Sequence, residues 1–143
     1  MKITSPQFDN NGYIPAKFTC QGSDINPELV IEDIPEEAAS LALIVDDPDA
    51  PMGTWVHWVV YDIPPTGKIE EDSVPGKQGH NDFDRYNYGG PCPPSGTHRY
   101  FFKVYALSKE LGLEEGIDKE ALEKAMKQHI IASSELVGLY KKN

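Results

Sequence analysis

Three side chains in this sequence have the types that recognise small anions or activate water. They are a carboxylate and two imidazoles, Asp47, His57 and His98. A protonated imidazole donates charge-assisted hydrogen bonds to a phosphate or carboxylate, and a neighbouring carboxylate orients the ring and partly neutralises its charge. Two imidazoles with one carboxylate are also a donor set for zinc or non-haem iron. The residue types alone leave both kinds of site open.

Each of these histidines is predicted to share a strand face with aromatic side chains, because side chains alternate between the two faces of a strand. The first face carries Trp55, His57, Val59 and Tyr61, and the second carries His98 and Tyr100. Both histidines therefore lie at a strand entrance with an aromatic neighbour.

Two loops must meet to bring these side chains together. The first, DDPDAPMGT (46–54), contains two prolines that force the preceding residues into extended backbone, so it is a stiff holder for a carboxylate. The second, YGGPCPPSGT (88–97), offers the backbone amides of Gly89 and Gly90, and glycine-containing turns can form anion-binding nests. Residue periodicity does not show whether the loops converge.

Ordinary structural roles compete with these assignments. A histidine on a strand is more often a satisfied, half-buried residue than a ligand, and aspartates in a turn such as DPDAP usually bond their own backbone. We assign His80 and His129 to structural roles, because His80 lies in the polar stretch PGKQGHNDFD and His129 on a helical stripe.

The elements that position the site are mostly strands. Short runs rich in β-branched and aromatic residues predict strands at 41–45, 55–62 and 99–107, with shorter ones at 16–20 and 29–32. Long connections rich in proline and glycine favour antiparallel or mixed sheets packed as a sandwich over alternating βαβ units.

Helical signals come late in the chain. Asp118 is a good N-cap, and an apolar stripe follows at Leu122, Ala125, Met126 and His129. The pattern predicts an amphipathic surface helix there and a second short helix at 133–140.

Length and charge bound the function. A chain of 143 residues with 39% hydrophobic residues predicts a single domain, 1–143. The net charge of −10 argues against nucleic-acid binding, which needs a basic surface. No run approaches the ~18 apolar residues of a membrane span, and the N-terminus lacks a signal-peptide core, so we expect a cytoplasmic protein without membrane insertion. The two cysteines, Cys20 and Cys92, are then expected as reduced thiols, with a disulfide as the alternative.

Three motifs follow one another along the chain. They are DPDAP (47–51) with WVHW (55–58), GGPCPP (89–94) and GTHRY (96–100), supported by FTCQGSDINPEL (18–29), VYAL (104–107) and SSELVGLY (133–140). Together they span nearly the whole sequence, which resembles the phosphatidylethanolamine-binding protein (PEBP) or Raf kinase inhibitor-like family, in particular its short bacterial and archaeal branch.

The resemblance implies a mainly β fold: a PEBP-like β-sandwich with a larger central mixed or antiparallel sheet and one or two peripheral C-terminal helices. It also implies a pocket for phosphate, a phosphorylated headgroup or another small anion. By motif position the ligand-binding residues are Asp47, Trp55, His57, Gly89, Gly90, His98 and Tyr100. Arg99 points to the opposite strand face, so we expect it in a structural ion pair. Cys20 and Cys92 both fall in family motifs, which implies that they lie near the pocket or near each other.

Two function classes stay open at this point. The leading one is a non-catalytic anion-binding module without cofactor or metal, which the resemblance links to regulation or inhibition of a kinase or serine protease and to a homodimer. The alternative is a metal-dependent or hydrolytic enzyme that uses Asp47, His57 and His98. A pocket that has lost its ligand is the third option. For the binding module, occupancy is predicted to weaken as pH rises through the histidine range.

Overall fold

Runs of β-branched and aromatic residues form two sheets in the computed structural model, which describes all residues 1–143. The strands are β1 (Lys2–Thr4), β2 (Gly12–Tyr13), β3 (Leu29–Glu32), β4 (Ser40–Asp47), β5 (Trp55–Ile63), β6 (Lys68–Ile69), β7 (Lys77–Gln78), β8 (His98–Leu107) and β9 (Ile130–Tyr140); the helices are a 3-10 turn (Ala16–Phe18) and α1 (Lys119–Met126). Six strands form the larger sheet in the order β2-β9-β8-β4-β5-β7, and β1-β3-β6 form the smaller one. All pairs are antiparallel except β2 with β9. The predicted sandwich with a larger mixed sheet is confirmed.

The apolar run 41–45 forms the middle of β4, at the centre of the larger sheet between β8 and β5. Every residue of β4 is buried, because both faces of the sheet are covered. Leu41, Leu43 and Val45 pack into the core between the two sheets, whereas Ala42 and Ile44 face the second core under α1. A continuous apolar run is what burial on both faces requires.

The predicted helix begins at its predicted cap. Asp118 accepts a hydrogen bond from the Ala121 amide at 2.9 Å, and Leu122 and Met126 are buried against the larger sheet. His129 lies beyond the last helical residue. No helix in the structure has the length and apolarity that crossing a bilayer requires.

The prediction of a second helix at 133–140 is wrong, because this segment is the second half of β9. Leu136, Gly138 and Tyr140 alternate with less buried neighbours, and β9 pairs with β8 along the full length of that strand. Period-two burial and a long open edge on β8 decide the conformation against local helix propensity. Gly138 is needed because a side chain there would collide with Ile14, at 2.5 Å from its Cγ1.

The prediction of a strand at 16–20 is also wrong. The segment forms the 3-10 turn at Ala16–Phe18, in which the amide and the hydroxyl of Thr19 both donate to the Ala16 carbonyl, at 3.1 and 2.9 Å. Phe18 is buried in the core between the sheets and anchors the loop that follows. The apolar content of this segment therefore reflects one anchoring side chain rather than a strand face.

Candidate functional site

His57 lies in a β-bulge near the start of β5. Asp46 of β4 pairs with Val56 and Val45 pairs with Trp58, so His57 has no residue opposite it. A bulge adds a residue to one strand and reverses the face on which the following side chains lie. The bulge therefore decides where this imidazole points.

The inserted residue overturns the predicted face of β5. Val56, Val59 and Tyr61 pack on the α1 side of the sheet, and Trp58 and Val60 pack in the core between the sheets. Trp55 and His57 instead line a cavity on the side opposite Val59 and Tyr61. The predicted alternation of side chains between the two faces is therefore correct only before the bulge.

Asp47 binds both its own turn and the imidazole of His98. Its Oδ1 accepts from the Asp49 amide at 2.7 Å, and its Oδ2 accepts from Nδ1 of His98 at 2.7 Å. Asp47 is 3% exposed and His98 is 7% exposed, so little water competes for this contact. The turn-forming role and the histidine-orienting role are thus both present, on different oxygens. The second ring nitrogen of His98, Nε2, has no partner in the protein.

His57 is held through one ring nitrogen as well. Its Nδ1–H donates to the Gly89 carbonyl at 2.7 Å, and the side chain is almost fully buried. Burial lowers the pKa of His57, because the charged ring loses hydration, although the Gly89 carbonyl and the charge of Asp47 oppose that shift. At neutral pH the ring is therefore neutral, with a free lone pair on Nε2.

The Tyr100 hydroxyl is the single buried side-chain polar atom in the protein without a hydrogen-bond partner. Its ring meets His57 edge-on at 5.2 Å between centroids and stacks with His98 at 6.5 Å. Burial raises the pKa of Tyr100 strongly, and the charge of Asp47 raises it further, so the hydroxyl stays a neutral donor. An orphaned buried hydroxyl costs about 1–3 kcal/mol, which an acceptor on a ligand would relieve.

The two loops converge around a single cavity of about 260 Å³. Its lining residues are Asp47, Ala50, Pro51, Trp55, His57, Phe83, Cys92, Pro93, Pro94, His98 and Tyr100. The structure therefore brings together five residues that the sequence singled out: Asp47, Trp55, His57, His98 and Tyr100.

Phe83 is a cavity wall that sequence reasoning missed. Its ring meets Trp55 edge-on at 5.6 Å and His57 at 5.1 Å. It comes from a third loop, whose polar sequence HNDFD carries no sign of a binding site. Asn81 holds that loop in place: its Oδ1 accepts the amides of Phe83 and Arg85, and its Nδ2 donates to the His57 carbonyl.

Gly89 and Gly90 do not line the cavity, contrary to expectation. The Gly89 amide donates to the His57 carbonyl at 3.1 Å, and the Gly90 amide donates to Oδ1 of Asp24 at 2.8 Å. Both amides are therefore unavailable to a ligand. A side chain at Gly90 would lie 2.3 Å from the Phe18 carbonyl, so this glycine permits a close approach of two loops.

The expectation of two reduced thiols is wrong, because Cys20 and Cys92 form a disulfide. Their Cα atoms lie 5.5 Å apart although 72 residues separate them in sequence. The close approach at Gly90 brings the two loops to bonding distance. Cys92 itself lines the cavity, so the bond is part of the site's construction.

Arg99 forms the predicted ion pair on the other face of β8. Its Nε and Nη2 donate to the two carboxylate oxygens of Asp49 at 2.9 and 2.8 Å. The guanidinium hydrogen bond lowers the pKa of Asp49, although both groups are largely in water. The pair ties the 46–54 loop to the start of β8, next to His98.

His80 and His129 lie outside the cavity, and no metal-binding cluster is found in the structure. Nε2 of His80 contacts Asp84 at 2.6 Å at the surface, and neither His80 nor His129 lines the cavity. No three histidine, cysteine or acidic side chains are grouped so that they could hold a metal ion. Asp47, His57 and His98 nevertheless line one cavity, in which the Asp47 carboxylate accepts from the Asp49 amide and from His98.

Comparisons with known proteins agree with this fold. The family model described as "Phosphatidylethanolamine-binding protein" matches residues 4–141. The chain is 50% identical to a UPF0098 protein of Pyrococcus horikoshii, over 99% of this chain and 77% of that protein, and 51% identical to one of Aquifex aeolicus, over 100% and 90%.

Solved structures of two relatives superimpose on nearly the whole chain. A putative PEBP homologue from Chlamydia trachomatis, CT736, is 44% identical with a TM-score of 0.97, covering 99% of this chain and 97% of that chain. YbcL of Escherichia coli, described as a new member of the mammalian PEBP family, is 28% identical with a TM-score of 0.91, covering 99% of this chain and 98% of that chain.

Proposed function

The chain belongs to the phosphatidylethanolamine-binding protein family, and on that premise we propose that it is a non-catalytic receptor for a small anion. The ligand chemistry is that of phosphate or a phosphorylated headgroup, bound in the cavity of Asp47, His57, His98 and Tyr100. One observation carries the proposal: the cavity receives two unpartnered imidazole Nε2 atoms and the orphaned Tyr100 hydroxyl together. Three directional polar atoms in one small hollow suit a compact ligand with several oxygens.

His98 and Tyr100 supply the donors. With Asp47 accepting from Nδ1 at 2.7 Å, a proton on Nε2 turns His98 into an imidazolium whose charge the carboxylate partly balances. That Nε2–H and the Tyr100 O–H donate to two oxygens of the anion. The arrangement matches the preference of phosphate oxygens for charge-assisted hydrogen bonds.

His57 makes anion binding depend on a proton. Because its buried ring is neutral, Nε2 accepts the O–H of a ligand that gains a proton as pH falls, such as dihydrogen phosphate. A fully ionised ligand instead favours the protonated ring and raises its pKa. Either route couples binding to one proton, so affinity increases as pH falls through the histidine range.

Apolar walls complete the site. Pro51, Trp55, Phe83 and Pro93 surround the polar atoms. Exclusion of water lowers the local dielectric constant and strengthens each hydrogen bond to a bound anion. The walls also limit the ligand to a small group.

The lining residues favour binding over catalysis. Cys92 is committed to the disulfide, and the cavity is lined by no serine or threonine that His57 or His98 could activate. The enzyme alternative is tested by elemental analysis of purified protein and by turnover of p-nitrophenyl phosphate. Stoichiometric zinc or iron, or hydrolysis that requires His57 and His98, would contradict the proposal.

Calorimetric titration with inorganic phosphate at pH 6 and pH 8 tests the proposed function. We expect binding at pH 6, weaker binding at pH 8, and loss of binding in His98→Ala and His57→Ala. His80→Ala is the matched control, because His80 lies outside the cavity, and it should bind as the wild type does. Absence of binding at both pH values, or equal binding by all three variants, would contradict the proposal.

Regulation of a kinase or serine protease is part of the proposal through the family resemblance. The structure offers an apolar rim for such a partner, since Met52 is 95% exposed beside Pro51, and Trp55 is 37% exposed. Protease assays with wild type and Met52→Ser test this part. If Met52→Ser inhibits as strongly as the wild type, the apolar rim is not the surface that contacts the protease.

A further inference from the structure

The wall formed by Pro93 and Pro94 belongs to a loop segment that makes no hydrogen bond. Residues 93–97 do not take part in any backbone or side-chain hydrogen bond in the protein, and the two prolines have no N–H to offer. Pro93 is nevertheless buried and lines the cavity. Its position therefore depends on packing and on the residues that anchor either side of the segment.

Both ends of this segment have identifiable anchors. On the C-terminal side, His98 starts β8 and is bonded to Asp47. On the N-terminal side three hydrogen bonds hold the loop, from Tyr88 Oη to the Phe18 carbonyl, from the Gly90 amide to Asp24, and from the Cys20 amide to the Pro91 carbonyl. The Cys20–Cys92 disulfide is the last anchor before the unbonded wall.

The disulfide is open to chemistry from solvent. Cys20 is exposed and Cys92 is partly exposed. Exposed disulfides are the ones that thiolates attack readily and that serve labile or regulatory roles. A thiol reductant in solution can therefore reach this covalent anchor at the edge of the cavity.

We propose that the Cys20–Cys92 disulfide is a redox latch on the cavity: a dithiol reductant opens it, the Pro93–Pro94 wall loosens, and anion binding weakens until the bond is re-formed. This inference rests on the proposed function. One thiolate of the dithiol attacks Cys20 Sγ, the S–S bond breaks, and Cys92 Sγ leaves and takes up a proton. The second thiol of the reductant then displaces Cys20, so two electrons pass from the dithiol, which ends as its own disulfide.

Loosening this wall acts on the donors directly. Cys92 and Pro93 line the same cavity as His57 and Tyr100. When the wall moves, water reaches Tyr100 and His57, and their hydrogen bonds to an anion then compete with bulk solvent. The loop must also be ordered again each time the ligand binds, which lowers affinity.

Phosphate titrations of one preparation in three states test the latch: as oxidised protein, after excess dithiothreitol, and after reoxidation. We expect affinity to fall by about fivefold or more on reduction and to return on reoxidation, the scale of losing a pre-organised wall. The Cys20→Ser/Cys92→Ser variant should bind phosphate with the affinity of the reduced protein, and dithiothreitol should not change that affinity. Pro93→Gly, with the disulfide intact, should also weaken binding, and it covers the case in which the serine variant folds poorly.

Hydrogen exchange without ligand gives an independent result. Reduction should speed exchange at the Cys20 and Gly90 amides, whose hydrogen bonds hold the loop beside the disulfide, and leave the amides of Leu43 and Ile44 in β4 unchanged. Unchanged exchange at the Cys20 and Gly90 amides, or equal phosphate affinity in both redox states, overturns the latch. If oxidised protein binds no phosphate at all, the proposed function fails, and the exchange data alone decide whether the bond holds the wall.

Discussion

Two adjacent aspartates at the end of β4 show how similar buried carboxylates differ in use. Asp46, 1% exposed, points toward α1, where its Oδ2 accepts from Lys119 at 2.8 Å and from Lys103 at 3.1 Å. Asp47, 3% exposed, points the other way, and its Oδ2 accepts from His98 at 2.7 Å. Both aspartates are thus buried and hydrogen-bonded, so these two properties do not distinguish their roles.

The partners make the difference. Asp46 is shared by two lysine ammonium groups, 31% and 22% exposed, which line a different hollow on the α1 side of the sheet. His98 offers Asp47 one ring nitrogen and presents the other to the cavity. Asp47 therefore differs from Asp46 in orienting an imidazole whose second nitrogen is grouped with a second imidazole and the unpartnered Tyr100 hydroxyl.

Exchanging each aspartate for asparagine tests this contrast most strongly. Asp47→Asn removes the charge that supports the His98 imidazolium, so phosphate affinity should fall about 20-fold or more, the scale of a charge-assisted hydrogen bond. Asp46→Asn should leave affinity within about twofold, because its lysines lie on the far side of the sheet. Calorimetry measures the phosphate affinity of both variants. Equal losses of affinity would contradict the different roles of Asp46 and Asp47.

Asp46→Asn should instead lower the free energy of unfolding. Lys103 and Lys119 lose their common partner. Because their side chains are 31% and 22% exposed, hydration of the ammonium groups offsets part of the lost interaction energy. We expect a decrease of about 1–2 kcal/mol, between the values for exposed and buried pairs. Urea unfolding checks it, and an unchanged midpoint would mean that the cluster contributes nothing to stability.

Tyr100→Phe separates ligand recognition from folding. Removal of the hydroxyl should weaken phosphate binding about fivefold, since one neutral hydrogen bond is worth about 1 kcal/mol. Stability should stay equal or rise, because the hydroxyl has no partner to lose. Tyr105→Phe, on the opposite face of β8, should leave binding unchanged. A clear loss of stability in Tyr100→Phe would show that its hydroxyl has a partner inside the protein.

The smallest effect concerns pH and stability. The pKa of His57 is lowered in the folded state, so below its ordinary value near 6.5 the unfolded chain binds more protons than the folded one. Stability therefore falls as pH drops below that value, and saturating phosphate should reduce the fall. His57→Gln should also flatten the acid side of a melting-temperature profile. A profile with the wild-type slope would contradict the assignment of a neutral, buried His57.

The fold was predictable where one local signal decided the structure. The run 41–45, the strand at 29–32 and the cap at Asp118 each needed only neighbouring residues, and each appears in the structure. The segment 133–140 depended on the edge of β8, more than twenty-five residues away in sequence, and local helix propensity gave the wrong answer.

The site shows the same division. Motif order indicated Asp47, His57 and His98, but alternation failed at the bulge, since nothing in a single strand's sequence reports an extra residue relative to its partner. Phe83 lines the cavity because a third loop folds back against it, and the local sequence of that loop does not predict this position. The Cys20–Cys92 bond likewise depends on two loops whose approach is decided by the whole fold.

The most direct measurement follows the ring resonances of the four histidines by NMR during a phosphate titration near pH 6. The account predicts that His57 and His98 shift together along one saturating curve, and that His57 titrates at higher pH when phosphate is bound. His80 and His129, outside the cavity, should not respond and serve as internal controls. Uniform small shifts in all four histidines, or none in His57 and His98, would contradict an anion site between the two imidazoles.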